Sequence, residues 1–137
     1  MDTHIKTWIV VLTGVSSLAG CTNIPSRVHN PGINIEPVSS ETGQIRSVGF
    51  WTDRNGLSLR GEVVRLSDSS RALDGHIDVA ITVPDRSSTL CTTAQLYRER
   101  GHGDVDFSLP FVSLPPRGSY LRVWYHPATE SHDECAN

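Results

Sequence analysis

From Ile45 onward the chain alternates apolar and polar residues with a period of two, the spacing of a strand with one face buried. Ile45-Arg46-Ser47-Val48-Gly49-Phe50-Trp51 and Leu57-Ser58-Leu59-Arg60-Gly61-Glu62-Val63-Val64-Arg65 flank Asp53-Arg54-Asn55-Gly56. Asn-Gly between two such runs predicts a tight hairpin whose central positions both need positive φ. His76 to Val83 is the cleanest strand: Ile77, Val79, Ile81 and Val83 face a core, while His76, Asp78 and Thr82 face out. Leu90, Thr92, Ala94 and Leu96 form a looser stripe. Val105, Phe107, Leu109 and Phe111 form the next, with Pro110 inside it marking an edge strand or an early end. Pro115-Pro116-Arg117-Gly118 then turns the chain into Tyr120 to His126. No segment carries a helical stripe. Short strands at this spacing predict an all-β fold, a small antiparallel β-sandwich of six to seven strands. A six-stranded Greek-key barrel fits the same alternation.

The N-terminus is patterned differently. A polar head, Met1 to Lys6, precedes the apolar run Thr7 to Val15, which is shorter than the roughly 20 residues that span a bilayer. Small residues follow, ending in Leu18-Ala19-Gly20-Cys21. This order is that of a secretory signal, and the tetrapeptide resembles the lipobox of bacterial lipoproteins. The resemblance implies cleavage between Gly20 and Cys21, a diacylglyceryl group on the Cys21 thiol, and acylation, such as by palmitate, of the new amino group. Each buried CH₂ contributes about 0.8 kcal/mol, and two or three chains anchor a protein durably in the lipid bilayer. Thr22, not Asp, follows the cysteine, which implies the outer membrane, with the protein facing the periplasm of the cell envelope.

This reading divides the chain into a signal peptide (1–20), a lipidated N-terminus with a Pro-rich flexible tether (21–44) and a β-sandwich domain (45–137). Pro25, Pro31 and Pro37 stiffen the tether. Ile33 and Ile35, either side of Asn34, suit a short edge strand that docks on the domain. On strand count and leader, the domain resembles the immunoglobulin-like or transthyretin-like sandwiches of periplasmic lipoproteins. With Cys21 lipidated, Cys91 and Cys135 remain as a pair in an oxidising compartment, and a disulfide between them is expected. It would close a loop of roughly 45 residues and stabilise by about 4 kcal/mol on the chain-entropy model.

Charge then narrows the function. Twelve Lys and Arg stand against 15 Asp and Glu, with no basic stripe, which argues against a nucleic-acid partner. Gly56-Leu57-Ser58-Leu59-Arg60 lacks the final glycine of a nucleophile elbow, and no phosphate loop or CxxC is present. No catalytic residues and no cofactor are therefore assigned, and the chain reads as non-enzymatic. Met1 is the sole methionine, which argues against Met/His copper sites. His126, Glu130, His132, Asp133 and Glu134 cluster near the C-terminus, with His76 and His102 elsewhere. Imidazole with carboxylate binds zinc or copper, so His126 and His132 are weak metal candidates, although the irregular spacing suits a solvated tail better. Tyr97, Tyr120, Arg122 and Trp124 fall opposite the apolar stripes, a composition typical of protein interfaces. The expected function is thus a membrane-anchored lipoprotein whose sandwich docks an envelope protein partner. The alternative is a small-ligand or metal-binding module built on the C-terminal His/acidic cluster.

Overall fold

A computed structural model describes residues 24–29, 32–66, 72–98 and 104–129. Within them the chain is all-β, with eight strands and no helix: β1 (Ser26–Arg27), β2 (Asn34–Val38), β3 (Gly43–Asp53), β4 (Gly56–Arg65), β5 (Gly75–Thr82), β6 (Thr89–Tyr97), β7 (Val105–Phe111) and β8 (Tyr120–Pro127). They join in the order β1-β3-β4-β7-β6-β5-β8-β2. All pairings are antiparallel except β2 with β8, which is parallel.

The expectation of an antiparallel sandwich with six to seven strands is corrected in two respects. There is one mixed sheet of eight strands, and it curls into a half-barrel instead of splitting into two layers. Alternation reports only which residues face inward. It is equally satisfied by two stacked sheets and by one sheet bent around its own apolar face. The segment expected to be a flexible tether also contributes β1, β2 and the start of β3. Asn34 and Ile35 do form an edge strand, held by the Asn34 N–H to the Ser119 carbonyl (3.0 Å) and by the ladder to β8.

The curl is visible in the core. Ile45 and Phe50 from β3, Leu59 and Val63 from β4, and Phe107 from β7 share one apolar cluster with Ile77, Val79, Leu121, Val123 and Tyr125 from β5 and β8. β3 and β8 lie far apart in strand order, yet a Cβ built on Gly43 would come within 2.6 Å of the Tyr125 ring. Glycine is needed there for the sheet to close on itself. On the other wall Gly61, opposite Phe107, leaves room for that ring, which a Cβ would meet at 2.7 Å.

Strict alternation fails in β3, where Ile45 and Phe50 are both buried despite opposite parity. The cause is a β-bulge: β3 advances from Arg46 to Gly49 while β4 advances only from Glu62 to Arg60. Ser47 takes φ 55° in the extra step, and its hydroxyl donates to Glu62 at 3.3 Å. The hairpin from β3 to β4 forms where Asn-Gly marked it, but with another turn. Of Asp53 to Gly56, only Gly56 has positive φ (104°), so Arg54 and Asn55 make the turn and Gly56 supplies the left-handed step. Asp53 Oδ1 accepts the Asn55 N–H at 2.7 Å, closing the loop from inside.

Among the described residues β6 and β7 are joined by two residue pairs, Leu96↔Phe107 and Tyr97↔Asp106. Beyond them the ladder stops, and this is where Pro110 sits. As expected for proline, it occupies a stretch of strand paired on one side only. At the entry to β5, Gly75 (φ 124°) lies so close to β8 that a Cβ would stand 1.9 Å from the His126 carbonyl oxygen. Replacement of Gly75 by Ala is therefore expected to lower the unfolding free energy by more than about 2 kcal/mol, read from urea unfolding of the purified protein.

A candidate polar site on the outer face of the sheet

The ladders of β5 and β8 bring the outward side chains of both strands into one strip. His76 stands opposite His126, Asp78 opposite Trp124, Ala80 opposite Arg122 and Thr82 opposite Tyr120. β6 adds Thr93 beside Asp78, and β2 adds Glu36 beside Arg122. The strip follows from the same period of two that builds the core, since each inward apolar residue leaves its neighbours on the convex side.

At one end of the strip is a buried carboxyl group. Asp78 was expected to face solvent, but its side chain is 0% exposed. Thr93 Oγ1 donates to Asp78 Oδ1 at 2.6 Å. Asp78 Oδ2 faces two imidazoles, with His126 Nε2 at 3.4 Å and His76 Nε2 at 3.6 Å, and the two rings stack with centroids 5.3 Å apart. Neither Oδ2 nor His126 Nε2 has a hydrogen-bond partner. A buried carboxylate is costly unless it is paired and hydrogen-bonded. The Thr93 hydroxyl meets that need at Oδ1, while the two imidazoles lie beside Oδ2 without a hydrogen bond to it. The Thr93 hydroxyl donates to the carboxylate, so this contact ties β6 to β5.

At the other end the groups are half-exposed. The Tyr120 hydroxyl donates to Glu36 Oε2, and Arg122 Nε contacts the same oxygen at 2.9 Å. The Arg122 guanidinium also lies over the Trp124 ring, 4.8 Å from its centroid. Tyr120, Arg122 and Trp124 are thus brought together as anticipated, with Glu36 as the acidic residue that fixes them. Tyr97 is not part of the group. It lies at the opposite end of β6, opposite Asp106, in a shallow depression with Trp51, Arg60 and Glu62.

The other residues anticipated from sequence separate clearly. His126 is buried and directed at Asp78, so the buried pair accounts for it. Cys21, His102, Glu130, His132, Asp133, Glu134 and Cys135 lie outside the described residues. Cys91 is on β6 and is not without a partner. Among the described residues no group of three or more His, Cys, Asp or Glu is arranged to hold a metal ion. Ser58 is buried and accepts the Arg60 Nε–H at 2.7 Å. Sequence reasoning missed the Thr93–Asp78 contact and Glu36. Its one available signal was a carboxylate in the middle of the most apolar strand, and identifying Thr93 as donor required the register of β6.

A second ion pair staples the β3–β4 hairpin, where Arg60 Nη2 bonds Asp53 Oδ2. The hydrogen bond from Arg60, and then the Asn55 N–H, hold the Asp53 carboxyl below its ordinary value against a smaller opposing effect of burial. Comparison with protein-family models, with curated proteins and with solved structures gave no match to this chain.

Two measurements follow from these contacts. Asp53 has a lowered folded-state pKa, so its contribution is complete above the unfolded pKa and is lost as pH falls through the folded one. Thermal melts are expected to show an acid-side loss beginning near about pH 4 that is smaller in Asp53→Asn. Thr93→Val, which removes the donor to a buried carboxylate, is expected to cost about 1–3 kcal/mol in denaturant unfolding.

Proposed function

We propose that the protein is a non-enzymatic lipoprotein of the bacterial cell envelope, anchored through acylated Cys21, whose β domain docks an envelope protein partner. The reading assigns residues 1–20 to a cleaved signal peptide and Cys21 to the lipid. It assigns Cys91 and Cys135 to a disulfide that ties the C-terminus to the sheet. The anchor is in the outer membrane and the domain faces the periplasm. The partner meets the outer face of β8 and β2, through Tyr120, Arg122 and Trp124.

The observation that carries the docking surface is the preorganised group on that face. Arg122 is held between Glu36 and the Trp124 ring, with its side chain 45% exposed. Tyr, Trp and Arg are the residues that dominate binding energy at interfaces, and side chains already fixed in place lose little entropy on binding. The buried Asp78 beside them contacts Thr93 of β6 and His126 of β8, which favours one register of these strands.

Lipid attachment and docking separate experimentally. Cys21→Ser is expected to take up no labelled palmitate and to leave the leader uncleaved, whereas wild type incorporates label. Crosslinking in native envelopes is expected to recover one stoichiometric protein neighbour of the wild type. Arg122→Ala is expected to lower that yield by about tenfold, with the melting temperature little changed. A yield unaffected by Arg122→Ala removes this face as the interface.

A further inference from the structure

Very little chain separates the lipidation position from the sheet. Ile24 is three residues past Cys21, and β1 is laddered to β3 from Ser26, five residues past it. Fully extended, three residues reach at most about 11 Å and five at most about 18 Å. A segment that short cannot hold the domain off a bilayer in which an acylated Cys21 is embedded. The surface around β1 therefore lies against the headgroups.

The course of β1 fixes which surface that is. Pro25 lines a depression on the outer side of the β3–β4 wall together with Trp51, Arg60 and Tyr97. Trp51 points outward because its neighbour Phe50 is in the core. Arg27 stands opposite Trp51, Arg60 opposite Gly49 and Arg46 opposite Glu62, all on that outer side, where Glu62 and Asp106 are the acidic residues. Ile24 is 75% exposed and Tyr97 44% exposed. An exposed aliphatic side chain beside Trp and Tyr, with arginines around them, suits the headgroup level of a bilayer. The rings sit in the interface there, and guanidinium groups reach phosphate. The β8 wall looks the other way. Trp124 lies between Val123 and Tyr125, both in the same core cluster as Phe50, so it points outward from β8. Tyr125 packs where Gly43 of β3 leaves room, so the two walls face each other across the core.

We propose that the outer face of β1, β3 and β4 rests on the bilayer that holds Cys21, with Ile24, Trp51 and Tyr97 at headgroup level. The β8 wall, with Tyr120, Arg122 and Trp124, then faces away from the membrane and is open to the protein partner. This orientation rests on the acylation of Cys21, and it adds a lipid-facing surface distinct from the docking face.

Trp8 leaves with the leader, so Trp51 and Trp124 are the two tryptophans of the mature chain, one on each wall. The test uses the protein purified from membranes and placed in phospholipid vesicles, part of whose lipid carries a nitroxide quencher at the headgroup. Trp124→Phe and Trp51→Phe isolate each indole in turn. Trp51 emission is expected to be quenched at least about threefold more strongly than that of Trp124. In the wild type, which needs no substitution, a lipid with a photoreactive headgroup is expected to label peptides covering 24–27 and 43–53 and to spare 120–127. Equal quenching of the two indoles, stronger quenching of Trp124, quenching of neither, or labelling of 120–127 at the level of 43–53 overturns the orientation. Intact mass separates the two failures. An acylated chain giving any of these results loses the orientation alone, whereas a chain without acyl groups on Cys21 loses the lipoprotein reading as well.

Discussion

The sheet must hide one apolar face using only itself, and the rest of the structure is arranged around that requirement. No helix or second layer covers the face among the described residues. It is buried because β8 and β2 swing round to pack against β3. Gly43 permits the approach by leaving room for the Tyr125 ring, and on the other wall Gly61 leaves room for Phe107. The bulge at Ser47 adds the bend and restores Phe50 to the inside after a stretch that strict alternation would have turned outward. Burial of side chains such as Leu59, Ile77, Val79 and Leu121, each 0% exposed, is the driving term for the curl.

Among the described residues the ladder between β6 and β7 shrinks to two residue pairs. Pro110 is tolerated beside that opening, since a strand with one free side has no second ladder bond to lose there. β6 is consequently central in strand order and yet largely exposed.

The convex side carries the polar features. The Asp78 carboxylate is buried among Thr93, His76 and His126, and this ties β6, β5 and β8 at one level. One turn of register away from that level the arrangement would leave a buried charge alone, so the group favours one alignment over others. Next to it, Glu36 reaches from the parallel edge strand to Arg122 and Tyr120. The proposed docking face therefore rests on a strand that sequence reading assigns to the tether.

The sequence by itself determined the strands and their inward residues from Leu57 onward, the hairpin at Asp53 to Gly56, and the all-β class. It did so because side-chain alternation and turn chemistry are local properties of the chain. It also placed Tyr120, Arg122 and Trp124 on one face, since residues two apart on a strand must share a side. Tertiary structure decided what depends on register and curvature: one curled mixed sheet of eight strands in place of two antiparallel layers, the bulge that breaks parity in β3, and the left-handed step at Gly56. It also decided that Tyr97 stands apart, that Asp78 is buried under Thr93 and two imidazoles, and that β6 parts from β7. Each of these is a relation between residues distant along the chain, and alternation along one strand carries no information about which strand lies beside it.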